Sequence, residues 1–263
     1  MRIWHISDLH LNEEEMKKWS ELDNIPEADI AVILGDVSDD GLKNIEWCGK
    51  HIIPHMPVIY VPGNHDFYNS DLHEIDIQAR ELAKKNNIIY LNKDTVIIDG
   101  IRFIGGALWS DFRVNVFKDD LSEEENIARN IEVAKKKTDF KKIFICKKTS
   151  QNITPYDTAE IHKTTRDFFQ KELSQKFDGK TIVLSHFSPL KDSTMEEFEK
   201  SPTHPSYASD QSDVVTKYKP EMWLFAHIHG FFEKNIHGTK FACNPRGYDY
   251  EDTGFKWNYI HQV

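Results

Sequence analysis

The sequence predicts an α/β fold in one domain, and three observations carry that reading. In the first third, short apolar runs at residues 2–6, 30–34 and 57–61 alternate with polar loops and amphipathic helical stretches, the pattern of strands feeding crossover helices. A second set of apolar segments, "IIYL", "TVIID" and "IRFIGGALW", is separated by turn residues and reads as a meander. Residues 120–140 and 157–175 then carry helical spacing and many charges before strands resume at "KTIVLSH", "PEMWLFAH", "FFEKNI" and "TKFACN". No repeat or low-complexity linker divides the chain, so residues 1–263 read as a single domain with a helical cap inserted at about 107–175.

Each of the first three strands ends in a chemically loaded loop: "SDLHLN", "GDVSDDG" and "PGNHDFY". The carboxyl ends of α/β strands are where binding loops gather, because the sheet fixes their ends. The charge runs of the insertion, "SEEEN" and "AKKKTDFKK", read as solvated helix faces.

With 39% hydrophobic residues, the 263-residue chain has enough apolar material for one large core. Its longest apolar runs fall far short of the roughly 20 residues of a membrane-spanning helix. The opening "MRIWHISDLHL" passes from Met straight into an alternating strand without a signal-like apolar stretch, so a cytoplasmic location is expected. Cys48, Cys146 and Cys243 are odd in number and widely spaced, which suits reduced thiols rather than a disulfide framework. Thirty-three basic against 43 acidic residues give a net charge of -10, which disfavours long nucleic acids and leaves small phosphorylated substrates open.

The loop residues able to bind metal are Asp8 and His10 in DxH, Asp36 in GD, Asn64, His65 and Asp66 in GNHD, His186 in "LSHFSP", and His227 with His229 in "AHIH". Taken alone, each is weak: a lone DxH or HxH is more often a hydrogen-bonded surface pair, and a lone GD is usually a turn. On a strand, residues i and i+2 share a face, so His227 and His229 would aim the same way. The conjunction of these clusters, each just past an apolar strand, is what points to a metal site.

The ordered set DxH, GD, GNHD, H, HxH resembles the calcineurin-like metallophosphoesterases. "ALWSDF", "SYASD" and "NPRGY" are similar to an uncharacterised bacterial and phage branch of that superfamily. The resemblance implies a four-layer αββα sandwich of two mixed sheets flanked by helices, with a two-metal site at one edge. It implies that Asp36 bridges the ions, that Asp8, His10 and His229 complete one, and that Asn64, His186 and His227 complete the other. A metal-bridging hydroxide would then attack a phosphomonoester or small phosphodiester in line. The resemblance has His65 face the substrate and stabilise or protonate the departing oxygen, with Asp66 orienting its ring. Imidazole and hard oxygen donors without thiolate suit Mn, Fe, Zn or Ni better than Ca; Mn is the first expectation.

Other residues have blander readings. Arg246 is expected in a surface ion pair rather than on a phosphate, and His162 and Arg166 on a solvated helix face. Phe67 and Tyr68 would line a pocket or pack against the cap. Gly35 and Gly63 relieve strain in tight loops, and His5 and His261 are structural. Two departures from the family pattern stand out: Ala226 where many members have Gly, and Phe187 after His186 where relatives often have a second His. A nuclease or cyclic-nucleotide phosphodiesterase is the alternative enzyme. A non-catalytic scaffold ranks below both, because every implied ligand and His65 are present.

Overall fold

The computed structural model describes residues 1–117, 120–193 and 200–263. Its strands are β1 (Arg2–Ile6), β2 (Ile30–Ile33), β3 (Val58–Tyr60), β4 (Ile88–Tyr90), β5 (Asp94–Ile98), β6 (Ile101–Gly106), β7 (Phe144–Cys146), β8 (Gln151–Asn152), β9 (Lys180–Ser185), β10 (Met222–Phe225), β11 (Phe232–Ile236), β12 (Thr239–Cys243) and β13 (Ile260–Gln262). The helices are α1 (Glu15–Lys18), α2 (Gly41–His51), α3 (Leu72–Lys85), α4 (Glu123–Ala134), α5 (Asp139–Lys142), α6 (Pro155–Ser174) and α7 (Ser212–Tyr218).

The first sheet has the order β13-β1-β2-β3-β4 and is parallel except for β13. The second has the order β11-β12-β10-β9-β6-β5, with a parallel centre and antiparallel edges. Because side chains alternate across a strand, each central strand feeds two cores. Ile3, Val32 and Ile59 of the first sheet meet Phe103, Ile182 and Leu224 of the second. On the outer face of the first sheet, Trp4, Ile33 and Tyr60 pack with Ile45, Trp47 and Ala79 of α2 and α3. On the outer face of the second, Val183, Trp223 and Phe241 pack with Phe169 and Leu173 of α6. The result is the four-layer sandwich of two mixed sheets flanked by helices. Strands buried on both faces explain why β1, β2 and β3 read as nearly unbroken apolar runs.

Three sequence expectations are corrected. "IIYL" does not begin a meander: α3 intervenes, and β4 lies parallel to β3 as a βαβ unit, so only β5 and β6 form the hairpin. The β13 edge strand is not legible in the sequence because three residues give no usable period. Within the inserted segment, α6 does not overhang the loop edge. Phe169 contacts Trp223 at 5.7 Å, and Arg102 donates to the carbonyls of Glu172 (2.9 Å) and Gln175 (3.1 Å), fixing α6 as an outer layer. His162, expected in solvent, is 2% exposed and lies 3.3 Å from the carbonyl of Trp109. Arg166 pairs with Asp213 of α7. Among the described residues, no helix is long and apolar enough to cross a membrane.

His5 and His261 face each other inside the sandwich, with 3.4 Å between ring nitrogens. Burial holds both below the ordinary imidazole range, His261 at about 4. The unfolded chain therefore takes up protons first as pH falls below about 6.5, and stability declines until the folded pKa is reached. Between pH 6.5 and 5, His261→Gln should lose about 1.5 kcal/mol less stability than the wild type. Denaturant titrations at the two pH values measure this; equal losses would remove the assignment.

Candidate metal centre and active site

The loops after β1, β2, β3, β9 and β10 converge at one end of the two sheets. Their backbones are unusual: Asp8 (φ 49°), His10 (45°), Asp36 (56°), His227 (69°) and His229 (45°) all adopt the left-handed conformation. For residues other than Gly this region is sparsely populated and costs of order 1 kcal/mol or more each. Clustering of such outliers on chemically reactive side chains marks a site whose geometry is imposed by its surroundings. This corrects the strand argument for "AHIH". β10 ends at Phe225, and His227 and His229 are aimed by left-handed turns rather than by strand alternation. Ala226 has negative φ, so the missing Gly costs nothing there.

Donor atoms of Asp8, Asp36, His186 and His227 lie within 4.8 Å of one another, as do those of Asp8, His10 and His229, and those of His10, Asp36 and His65. Asp8, Asp36 and His10 each belong to two groups, so all three lie between clusters. Asn64 joins the first through Oδ1, 3.1 Å from His186 Nε2. Gly63 permits this crowding: a Cβ there would sit 2.1 Å from Asp36 Oδ1 and 2.6 Å from His186 Cε1. The glycine therefore serves close approach, not strain relief.

Tautomers follow from the outward-facing nitrogens. His186 Nδ1 donates to the carbonyl of Leu34 (2.6 Å), and His229 Nδ1 donates to Glu251 (2.7 Å). Each Nε2 is thereby turned inward. His186 Nε2 meets Asn64 Oδ1, His227 Nδ1 (3.2 Å) and Asp36 Oδ2 (3.2 Å), while His229 Nε2 meets His10 Nε2 at 3.1 Å. At this range each pair of facing nitrogens must share a proton carried by one of the two rings, or a metal must take its place. Asp8 Oδ1, Asp36 Oδ2 and His227 Nε2 are buried without a hydrogen-bond partner, which a metal would satisfy. The donor set fits divalent ions.

The electrostatics agree. Burial raises the cost of ionising Asp8 and Asp36, yet the surrounding imidazoles outweigh it and hold both carboxyls below their usual range. In return, the carboxylates overcome burial and hold His186 up to about 9 and His229 up to about 10. Burial wins at His10, which falls to about 4, and at His227.

His65 borders a cavity of about 750 Å³ that Asp36, Asn64, His227 and His229 also line, with Tyr68, Lys137, Tyr207, Tyr248 and Tyr250 on its walls. His65 Nδ1 lies 2.5 Å from Asp39. Burial opposes protonation of this ring, but Asp36, Asp39 and Asp139 together raise its pKa. Asp66 is not the orienting partner. Its carboxylate accepts from the backbone N–H of Asp36 (3.0 Å) and Gly63 (2.8 Å), from Asn44 Nδ2 (2.9 Å) and from the Tyr60 hydroxyl (2.5 Å). In the 3₁₀ turn His65–Phe67, successive side chains diverge by about 120°. His65 therefore faces the cavity while Asp66 points beneath it and ties its own loop to the Asp36 loop, α2 and β3.

Phe187 does not reach the cavity wall; it packs on His227 at 4.1 Å and on Trp109 at 5.0 Å. Phe67 is buried against Trp109, whereas Tyr68 lines the cavity. Arg246 ties Leu9 O (2.6 Å) to Glu15 (2.8 Å), an ion-pair role that leaves it off the cavity. Sequence reading missed Asp39, Asp139 and Glu251. Asp39 had a signal, standing three residues after Asp36 in the same loop. The other two sit in charged stretches that give none.

The comparisons agree with this geometry. The family model described as calcineurin-like phosphoesterase matches residues 1–231. An uncharacterised protein, L509 of Acanthamoeba polyphaga mimivirus, is 26% identical over 242 residues, 85% of this chain and 80% of its own. In fold, the chain is similar to phosphopantetheinyl hydrolase (PptH) from Mycobacterium tuberculosis, with TM-score 0.67 at 16% identity over 99% of this chain and 95% of that one. TT1561 of Thermus thermophilus gives 0.52 at 14% identity, over 93% and 88%. With a match spanning most of its length and a buried Asp/His cluster suited to divalent ions, this chain belongs to the calcineurin-like phosphoesterases, metal-dependent hydrolases of phosphate esters.

Proposed function

We propose that the protein hydrolyses a phosphomonoester or a small phosphodiester with two divalent ions, Mn first among Mn, Fe, Zn and Ni. Asp36 would serve both ions; Asp8, His10 and His229 would hold one, and Asn64, His186 and His227 would hold the other. The observation that supports this most is the set of donor clusters joined through Asp8 and Asp36, with His65 beside them on an open cavity. Two such ions would supply a water of lowered pKa and charge to offset the phosphoryl oxygens. His65 stabilises or protonates the departing oxygen, and Asp39 holds its ring toward the cavity. Lys137 supplies a further positive charge on the wall. A cavity of about 750 Å³ suits a small substrate, and the net charge of -10 argues against long nucleic acid.

The test is a screen of the Mn-reconstituted protein over monoesters, linear diesters, cyclic nucleotides and short nucleic acids. Turnover on either small class supports the proposal. Protein that holds two ions yet is inert on every class would overturn it, and near-zero metal uptake would favour a scaffold.

Glu251 gives a sharper check. Its carboxylate orients His229 and also accepts from the Tyr248 backbone N–H at 2.8 Å. Removing the partner of a ligating histidine typically costs 10–100-fold in metal affinity. Glu251→Ala should weaken one of the two ions by about that factor in a Mn titration; unchanged binding of both excludes the role.

A further inference from the structure

We infer that the one-turn helix α5, from the inserted segment, positions the active site: Asp139 fixes the amide of Asn64 and, through Tyr68, the ring of His65. The inference rests on the two-ion reading above and deepens it. An asparagine amide can present either oxygen or nitrogen to a metal, and only the oxygen binds. Asp139 is 4% exposed, and its Oδ1 accepts from Asn64 Nδ2 at 2.7 Å. An ionised carboxylate accepts and never donates, so it holds the amide nitrogen outward and leaves Asn64 Oδ1 facing His186.

The same Oδ1 accepts from the Tyr68 hydroxyl at 2.8 Å, and that hydroxyl oxygen lies 3.3 Å from His65 Nε2. Tyr68 spends its only proton on Asp139, so toward His65 it presents an acceptor. The other nitrogen of His65 is held by Asp39, whose second oxygen is bound by Lys142 Nζ at 3.0 Å. Asp139 and Lys142 are three apart on α5 and so share a face. One turn of helix thus grips His65 through both ring nitrogens.

Backbone pairing keeps α5 in register with the loop it serves. Asn69 N–H donates to Lys142 O (2.7 Å), and Phe144 N–H donates to Ser70 O (3.0 Å). The insertion is therefore stitched to the chain directly after GNHD.

The experiment compares Asp139→Ala, Asp139→Asn and Tyr68→Phe by Mn titration, turnover and thermal melting of the metal-free protein. Asp139→Ala should weaken one ion 10–100-fold and leave the other. Asp139→Asn keeps an acceptor oxygen opposite both donors, so most of that affinity should return. Tyr68→Phe should bind both ions normally and lower kcat more than it changes KM. If Asp139→Ala does not fold, Asp139→Leu fills the volume without an acceptor. Two ions bound as in the wild type by a folded Asp139→Ala or Asp139→Leu protein overturn the inference and leave the two-ion reading intact. Wild-type protein that takes up no ion overturns both.

Discussion

Asp36→Asn should lower turnover by at least about 10³-fold and abolish two-ion stoichiometry, without loss of folded protein. The side chain is 1% exposed, and its Oδ1 accepts from the His65 backbone N–H at 2.9 Å, a bond that the amide oxygen of Asn retains. What Asn cannot supply is the second anionic oxygen. Asp36 Oδ2 is buried without a hydrogen-bond partner, 3.2 Å from His186 Nε2, and in the two-ion proposal it is the oxygen that would serve the second ion. In the metal-free fold the charge of Asp36 raises the pKa of Asp66, but the imidazoles that hold its own carboxyl below the usual range more than offset that cost. Metal-free Asp36→Asn should therefore melt modestly below the metal-free wild type, and metal should stabilise it less. Elemental analysis, kinetics and melting on the same preparation decide this. Full activity with a single ion would remove Asp36 from the bridging role, and a collapsed melting temperature would make the residue structural.

The fold is readable wherever a strand is buried on both faces. "RIWHI", "AVIL" and "TIVLS" are apolar because each side of each strand meets a core, and both cores impose the same preference. Local pattern does not say which sheet a strand joins. "IIYL" and "TVIID" look alike, yet β4 closes a βαβ unit in the first sheet and β5 starts a hairpin in the second. That choice is made by α3, whose amphipathic face needs the outer side of the first sheet. The placement of α6 is hidden for the same reason, since Phe169 and Leu173 look equally suited to a cap or a layer.

The site is readable where chemistry forces a residue type and obscure where it only forces a partner. Ligand-type side chains in five loops announce themselves because few other uses cluster Asp, Asn and His after strands. Asp139 and Glu251 do not, since a carboxylate in a charged stretch looks the same whether it faces water or an imidazole. Asp66 misleads because adjacency in sequence is not adjacency in space. A 3₁₀ turn separates His65 from Asp66, and the loop containing Asp36 supplies Asp39 instead. The left-handed backbone of His227 and His229 likewise lies outside any side-chain pattern.

His65→Ala should lower kcat by about 10²–10⁴-fold on esters with poor leaving groups and much less on an activated aryl phosphate, with both ions retained. An activated leaving group departs as a stable anion and needs no proton, so a group that stabilises or protonates the departing oxygen matters least there. The geometry suits that role, since Nδ1 is tied to Asp39 at 2.5 Å, the ring edge packs on His10 at 4.6 Å, and the side chain opens onto the cavity. A competing role exists, because the ring nitrogens of His65 and His10 and a carboxylate oxygen of Asp36 could themselves hold a cation. The two roles separate cleanly. A ligand would take an ion with it when removed and depress every substrate equally, whereas a group acting on the departing oxygen would leave the ions in place and steepen the dependence of rate on leaving-group pKa. Asp39→Asn should shift the same dependence in the same direction by less, since it loosens the ring without removing it. Equal losses across leaving groups, together with one missing ion, would transfer His65 from the departing oxygen to the metal.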